Sequence, residues 1–431
     1  MIISIVGFGH IGSVVGVCLA EKGHRIIGID KNKKLIDDFN NKKCPIKEKN
    51  LKKKINSLIN KSIFLTSNYK NIVQSDVIIV TVGTPLKNNK PNFNQIDNVC
   101  KSLLKHCKKN QLIILKSTVM PGTTRKYFSK LFKKKLFISY SPERIAEGNA
   151  LKEFKKIPII NSGINKISQK RSEYFWKNKM KFETISVSSL ETAEMSKLAD
   201  NAWIDLNIAL ANELAKFIDI NNLNTDVLEV IKTANTLKKG DSYVNILMPS
   251  IGVGGYCLTK DPLFLHYTAK QKGLMLNTFK AGRKVNDSMP SYATSKILNF
   301  YKNTKNLNIL IIGLSFKSNT GDIRFSPIFD LIKNLQKKGF KNLTFYDPMI
   351  DQQDKNLFKL KFINYLGKNL KKFDLIIFGN AHTSVQNETP KVLIKNCRKN
   401  TVIFDGRRYF NKMEINDIKK NNLKYIGIGR S

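Results

Sequence analysis

Cys257 stands at the end of a glycine-rich run, PSIGVGGYCLTKD, residues 249 to 261. A lone cysteine is most often a small buried hydrophobe. Here its neighbours argue for chemistry. Gly252, Gly254 and Gly255 permit a loop that comes close to a ligand. Lys260 and Asp261 supply charge within reach, and a nearby ammonium favours the thiolate, the nucleophilic form. Such a thiol can hold a reaction intermediate covalently.

Further candidates lie elsewhere. Lys197 and Asn201, in EMSKLADNAW, are four residues apart and share one helical face. Taken alone, the lysine reads as an exposed helix-face residue, but the helix around it is rich in apolar side chains. A cation and an amide aimed together into a cleft suit a developing alkoxide. In SPERIAEG, Glu143 and Glu147 follow a strand and belong at the carboxyl edge of a sheet, where α/β proteins bind ligands. They can act as acid/base groups or hold ribose hydroxyls. The plainer reading makes them first-turn acids of a helix capped by Ser141. Thr118, in KSTVMPGTT, ends another strand, where ordinary turn chemistry is the plain reading. Lys317, Asp322 and Arg324 share a loop in GLSFKSNTGDIRFSP, and Arg407 closes a strand in FDGRRYF. Basic groups at strand ends suit a phosphorylated ligand.

The N-terminal SIVGFGHIGSVVG places Gly7, Gly9 and Gly12 in GxGxxG spacing between a strand and a helix. The glycines allow a tight turn and let backbone N–H groups approach a pyrophosphate at the helix N-terminus. The spacing alone is a weak signal. Its context strengthens it, because IIGID ends in Asp30, 23 residues past Gly7. An acid there can bind a ribose 2′-hydroxyl and repels a 2′-phosphate, which favours NAD over NADP. A nucleophilic thiol beside an NAD site suggests an intermediate oxidised while attached to the enzyme.

These residues need elements to position them. MIISIVGF, HRIIGID, DVIIVTVGTP, QLIILKST and KLFISYSPE read as buried parallel strands alternating with helices. A helix without Pro or Gly is expected over 191–220. The strand-helix rhythm restarts near 305 with NLNILIIGLSF, a helix around 326–338, NLTFYDP, FDLIIFGN and TVIFDGRRYF. The expected fold is α/β: two Rossmann-like, doubly wound domains joined by a long central helix and a helical connector. The expected domains are 1–190 with the NAD site, 191–300 as a central helical part with the cysteine loop, and 301–431 as a second α/β domain.

Composition bounds the rest. At 431 residues and 42% hydrophobic, the chain can bury large cores. No apolar run of about 18 residues occurs, so no membrane span is expected. Nor does the N-terminus have the layout of a signal peptide. The six cysteines are scattered without a CxxC pair, which argues against disulfides or zinc and for a reducing cytoplasm. The net charge of +41 raises the question of nucleic acid. Its lysines are spread over the whole chain without an arginine-rich arm, so it reads as a solvated coat that attracts anionic substrates.

Over nearly the whole chain these blocks resemble the UDP-glucose/GDP-mannose dehydrogenase family: GFGHIG, VTVGTP, KSTVMPGTT, SPERIAEG, ETAEMSKLADN, GVGGYCLTKDP, GLSFKSNTGDIRFSP, YDP and FDGRRYF, in that order. The resemblance implies oxidation of the C6 hydroxymethyl of a nucleotide sugar to a carboxylate with two NAD. It implies that Cys257 captures an aldehyde as a thiohemiacetal and carries a thioester, which water releases. Lys197 and Asn201 match the oxyanion-stabilising pair. Asp261, Glu147 and Thr118 match positions that handle the proton and the hydrolytic water. Gly7, Gly9, Ile11, Gly12, Asp30, Thr84, Thr118, Glu147, Lys260 and Arg324 match cofactor contacts. Glu143, Lys197, Asn201, Asn245, Ile246, Ser250, Gly254, Lys317 and Arg407 match contacts to the sugar nucleotide. Family members commonly dimerise through the central helix, so a homodimer or higher homo-oligomer is implied.

The sugar signals conflict. GGYCLTKD resembles members acting on UDP-glucose; those acting on 2-acetamido sugars usually carry His where Tyr256 stands and no lysine at position 260. SPERIAEGNAL, DLNIALANELA and VNILMPSIGVGG resemble the 2-acetamido type, although Tyr243 stands where an arginine is usual. The reading leans to a UDP-N-acetylhexosamine of the mannosamine type, with UDP-glucose second and GDP-mannose third. Other rivals are a two-electron β-hydroxyacid-type dehydrogenase, a silent NAD-binding protein and a nucleic-acid binder.

Overall fold

The computed structural model describes every residue except 88–89, 302–305, 358–359, 368–369, 387–388 and 431. The expected domain boundary at 300/301 abuts 302–305, which lie outside the described residues. The chain forms two compact units, each described by itself: Met1–Asp200 with Tyr267–Gly273, and Asn201–His266 with Leu274–Ser431.

The first unit is built on eight strands: β1 Ile2–Val6, β2 Arg25–Ile29, β3 Ile63–Thr66, β4 Val77–Val80, β5 Leu112–Leu115, β6 Phe137–Tyr140, β7 Ile159–Gly163 and β8 Thr184–Ser186. Their order is β8-β7-β6-β5-β4-β1-β2-β3. All neighbours are parallel except β6 and β7. The runs VIIV and LIIL of β4 and β5 are buried throughout, because helices cover both faces of a parallel sheet. Strand order reverses between β1 and β4, and ligands bind at the carboxyl ends of strands at such a switch point. Helix α1, His10–Ala20, follows β1, and α2, Thr123–Lys133, follows β5.

Helix α3, Leu190–Ile220, runs unbroken for 31 residues from the first unit into the second. The second unit holds a parallel five-stranded sheet: β9 Ile309–Ile312, β10 Leu343–Tyr346, β11 Leu375–Phe378, β12 Val402–Asp405 and β13 Lys424–Gly427, in the order β10-β9-β11-β12-β13. Helix α4 spans Asp261–Lys270, α5 Asn277–Tyr301 and α6 Pro327–Lys337. Ser326 caps α6 by accepting from the Ile328 N–H, with Pro327 preset in the first turn. The α/β architecture expected from the sequence is present. The sequence reading did not name β3, β7, β8 or β13. No helix among the described residues is long and apolar enough to cross a membrane.

Candidate active site

The dinucleotide turn follows β1. Gly7 has φ +91°, a conformation that L side chains rarely adopt. A Cβ on Gly12 would lie 2.1 Å from the Gly7 carbonyl oxygen, so α1 can start this close to β1 only with glycine there. A Cβ on Gly9 would meet nothing within 4 Å; it would fill the space into which the turn opens. Gly9 is also the N-cap of α1, and no side chain caps that end. The first N–H groups of α1 therefore suit a pyrophosphate. Asp30 follows β2 directly, and its carboxylate accepts from the Phe8 N–H (2.8 Å) and the Asn32 N–H (2.9 Å). It ties the glycine turn to the strand that would carry the ribose. Ile11 packs its partly buried side chain on the core beneath α1. Thr84 Oγ1 donates to the Thr118 carbonyl at 2.7 Å, joining the loops after β4 and β5. These residues fit NAD.

The loop after β6 carries the two glutamates. It is not the start of a helix, as the plainer sequence reading had it; the next helix begins only at Ala150. Glu143 is buried, and its Oε1 accepts from the Arg144 and Ile145 N–H groups (2.9 and 3.2 Å). Its Oε2 lies 3.3 Å from the ammonium of Lys116. Lys116 also donates to the Ser141 carbonyl and sits over Trp176 (5.1 Å to the ring centre). Burial holds the Lys116 ammonium below the usual lysine range, with Glu143 opposing that shift. Glu147 sits half-buried in the turn between Ala146 and Gly148.

In the second unit, Cys257 is exposed, at the start of a turn that runs into α4. Its carbonyl accepts from the N–H groups of Lys260 (3.0 Å) and Asp261 (2.8 Å). Asp261 is fully buried. Its carboxylate accepts from the Asn201 side-chain amide and pairs with the Lys260 ammonium (2.5 Å). That ammonium also lies 4.1 Å from the Phe264 ring centre and 5.4 Å from that of Tyr256. Lys260 is thus committed to a buried pair with Asp261. Lys197 and Asn201 are both buried on α3, so the exposed-face reading of the lysine fails.

The glycines before Cys257 serve the protein's own packing. A Cβ on Gly254 would lie 2.4 Å from the Phe325 carbonyl oxygen. On Gly255 (φ +86°) it would lie 2.6 Å from the Phe316 ring, and on Gly252 (φ +147°) 2.9 Å from Pro327. The close approach is to the loop after β9.

That loop also holds Lys317, half-buried, and Arg324, whose guanidinium pairs with Asp322 (2.5 Å). Arg407 donates to the carbonyls of Phe316 (2.6 Å) and Gly379 (3.4 Å). Burial, with Arg408 beside it, pushes Arg407 down to about 10. The segment before the glycines is clamped. Asn207 of α3 donates to the Asn245 carbonyl (2.9 Å), and Asn235 exchanges two hydrogen bonds with Ile246. The Ser250 N–H donates to Asn212 (2.8 Å).

Comparison with known proteins decides the family. Residues 1–176 match the NAD binding domain of the UDP-glucose/GDP-mannose dehydrogenase family, 191–288 its central domain and 310–412 its UDP binding domain. A UDP-N-acetyl-D-mannosamine dehydrogenase of Methanococcus maripaludis is 31% identical over 437 residues, spanning 99% of this chain and 96% of that protein. The chain belongs to the UDP-glucose/GDP-mannose dehydrogenase family. It is an NAD-dependent oxidoreductase of nucleotide sugars, as the sequence resemblance implied. Among solved structures it is similar to the UDP-D-ManNAc dehydrogenase of Pyrococcus horikoshii, with TM-score 0.86 and 26% identity over 100% of this chain and 99% of that one. The native UDP-N-acetyl-mannosamine dehydrogenase of Staphylococcus aureus gives TM-score 0.80 and 27% identity, over 100% and 98%.

Within this family member, the sequence reading missed the residues that anchor the thiol loop. Asp205, one turn beyond Asn201 on α3, is buried and pairs with Arg283 of α5 (2.5 Å). Arg283 also donates to the carbonyls of Val253 and Leu258, one on each side of Cys257 (3.4 Å each). Asn286 donates to Asp205, and Asn212 donates to Asn286. The available signal was polar residues at 197, 201 and 205, each four apart on one face of the helix.

Proposed function

We propose that the enzyme oxidises C6 of a UDP-N-acetylhexosamine of the mannosamine type to the uronate, in two steps through a Cys257 thioester. The observation that carries this reading is the near full-length match to relatives bearing the UDP-N-acetyl-D-mannosamine dehydrogenase name. The buried Asn201–Asp261–Lys260 cluster behind an exposed Cys257 supports the chemistry. Gly7, Gly9, Gly12 and Asp30 hold NAD, which when bound supplies the hydride acceptor for both oxidations. Lys197 and Asn201 stabilise the C6 alkoxide as its proton leaves, and Asp261 orients the Asn201 amide. The Cys257 thiolate adds to the C6 aldehyde, giving a thiohemiacetal. Loss of the thiohemiacetal's hydroxyl proton together with a second hydride leaves a thioester at Cys257. Glu147 and Thr118 direct water to its carbonyl, which releases the uronate and the thiol. The chain works as three parts, 1–190, 191–300 and 301–431, and each family match falls inside one of them.

The test is to supply UDP-N-acetyl-D-mannosamine, UDP-N-acetylglucosamine, UDP-glucose and GDP-mannose separately with excess NAD and to count NADH per sugar. Two NADH from the mannosamine sugar, and little from the rest, is expected. One NADH per sugar would revive the two-electron dehydrogenase. UDP-glucose is the second reading. Tyr256 favours it, since its ring packs beside Lys260 where 2-acetamido members usually have histidine.

The enzyme is also proposed to be a homodimer. Trp203, Leu210 and Phe217 are seven residues apart on α3 and expose 48%, 46% and 61% of their surface. Such a stripe is what a partner helix covers. Phe217→Glu combined with Trp203→Glu should shift light-scattering mass from dimer to monomer; an unchanged mass would place the interface elsewhere. A cytoplasmic setting is proposed from the sequence, whose six cysteines are scattered without a CxxC pair.

A further inference from the structure

Glu48 lies in the loop between residues 41 and 50, far in sequence from any residue assigned above. Its side chain is fully shielded from solvent. Its Oε2 accepts from the Gly148 N–H at 2.7 Å and lies 3.1 Å from His10 Nε2. Its Oε1 accepts from the Ala150 N–H at 3.1 Å. His10 sits between Gly9 and Ile11 of the dinucleotide turn. One residue before Glu147, the Ala146 N–H donates to Glu153 at 2.6 Å. Alternate amides on either side of Glu147 are therefore each held by a carboxylate, and Gly148 takes φ +90° to allow it. Burial by itself would raise the Glu48 carboxyl, but the bonds from His10 and Gly148 outweigh it and hold the group low. The ionised form, which accepts from all three donors, is the one the structure keeps.

We propose that Glu48 is a positioning residue that fixes the backbone on which Glu147 stands and ties it to the dinucleotide turn through His10. The proposal rests on the functional reading above for what Glu147 does, but not for how it is held. Glutamine at 48 keeps the shape and one acceptor, yet turns an N–H₂ group towards one of the donors. Two measurements test this. The first uses the full-length protein without ligands. Amide exchange of the peptide covering 146–150 should quicken at least about tenfold in Glu48→Gln, with the strands of the first unit unchanged. Unchanged exchange there overturns the proposal.

The second is a double-mutant cycle with UDP-N-acetyl-D-mannosamine and NAD. Glu48→Gln should lower kcat by about 10–100-fold, the range typical of residues that orient a reacting side chain. It should leave the KM for the sugar within about threefold, because no sugar contact is touched. Combining it with Glu147→Gln should cost no more than about twofold beyond Glu147→Gln alone, since a residue acting through Glu147 has nothing further to lose. Losses that multiply would mean that Glu48 acts on something else and would overturn the proposal. Glu48→Asp keeps the charge and carries the cycle if the glutamine variant folds poorly. A wild type silent with every nucleotide sugar would refute the functional reading, whereas the exchange result would still decide the role of Glu48.

Discussion

Cys257→Ala is expected to abolish uronate formation while leaving the protein folded and able to bind NAD. The reason lies in the backbone. The turn at Cys257 is closed by its carbonyl, which accepts from Lys260 and Asp261, and neither bond involves the thiol. The side chain is exposed, so its loss opens no cavity. What disappears is the proposed nucleophile, the thiol that would capture the aldehyde. Steady-state NADH production should fall by at least about 10³-fold, as it does when a covalent nucleophile is removed elsewhere. A single-turnover experiment should give no more than one NADH per active site, with the sugar recovered as aldehyde. Cys257→Ser, which keeps a weak nucleophile, should retain slow turnover. Two NADH per sugar at wild-type rate from the alanine variant would refute the thioester mechanism.

The sequence disclosed this machinery unevenly. Buried parallel strands read plainly, because continuous apolar runs such as VIIV and ILII have no other home. The dinucleotide turn was equally plain: its glycines and Asp30 lie within one βαβ unit, and the constraint is local. Lys197 and Asn201 could be paired because four residues on a helix define a face. The meaning of Gly252, Gly254 and Gly255 was not local. Permissive backbone is visible in sequence, but its use is not. Here it admits Phe316, Phe325 and Pro327, more than 60 positions away. The same holds for Lys260. Proximity in sequence suggested an ammonium serving the thiol, whereas its neighbour Asp261 takes the charge in a buried pair. The plainer reading of Glu143 and Glu147, as first-turn acids of a helix, shows a third kind of miss. Ser-Pro-Glu at a strand end can read as a helix cap, yet Glu48 and Lys116 from distant segments, with Glu153 nearby, hold the loop open instead.

Arg283→Met is expected to be the most damaging substitution outside the reacting groups, and its cost should depend on pH. Asp205 and Arg283 are both buried, and their pair anchors the carbonyls on either side of Cys257. Removing the cation leaves a buried carboxylate without its partner, a change that costs about 3–5 kcal/mol. Burial already holds the Asp205 carboxyl above the usual aspartate range, and the Arg283 charge is the main force opposing it. Without Arg283 the rise must be larger. A carboxyl whose folded pKa lies above its unfolded value contributes stability at low pH and loses it as pH rises through the folded value. The deficit of the variant relative to wild type should therefore grow as pH rises and shrink as pH falls and Asp205 takes up a proton. Asp205→Asn added to Arg283→Met should recover part of the loss, because the amide needs no counter-charge and can still accept from Asn286. Thermal unfolding of wild type and the two variants across a range of pH checks each point. A deficit constant with pH, or a double variant worse than Arg283→Met alone, would show that Arg283 acts through its contacts to the loop and not through Asp205. The loop should loosen in either case, so kcat is expected to fall further than the KM for NAD rises; the arginine touches the backbone around the thiol, and the dinucleotide turn lies in the other unit.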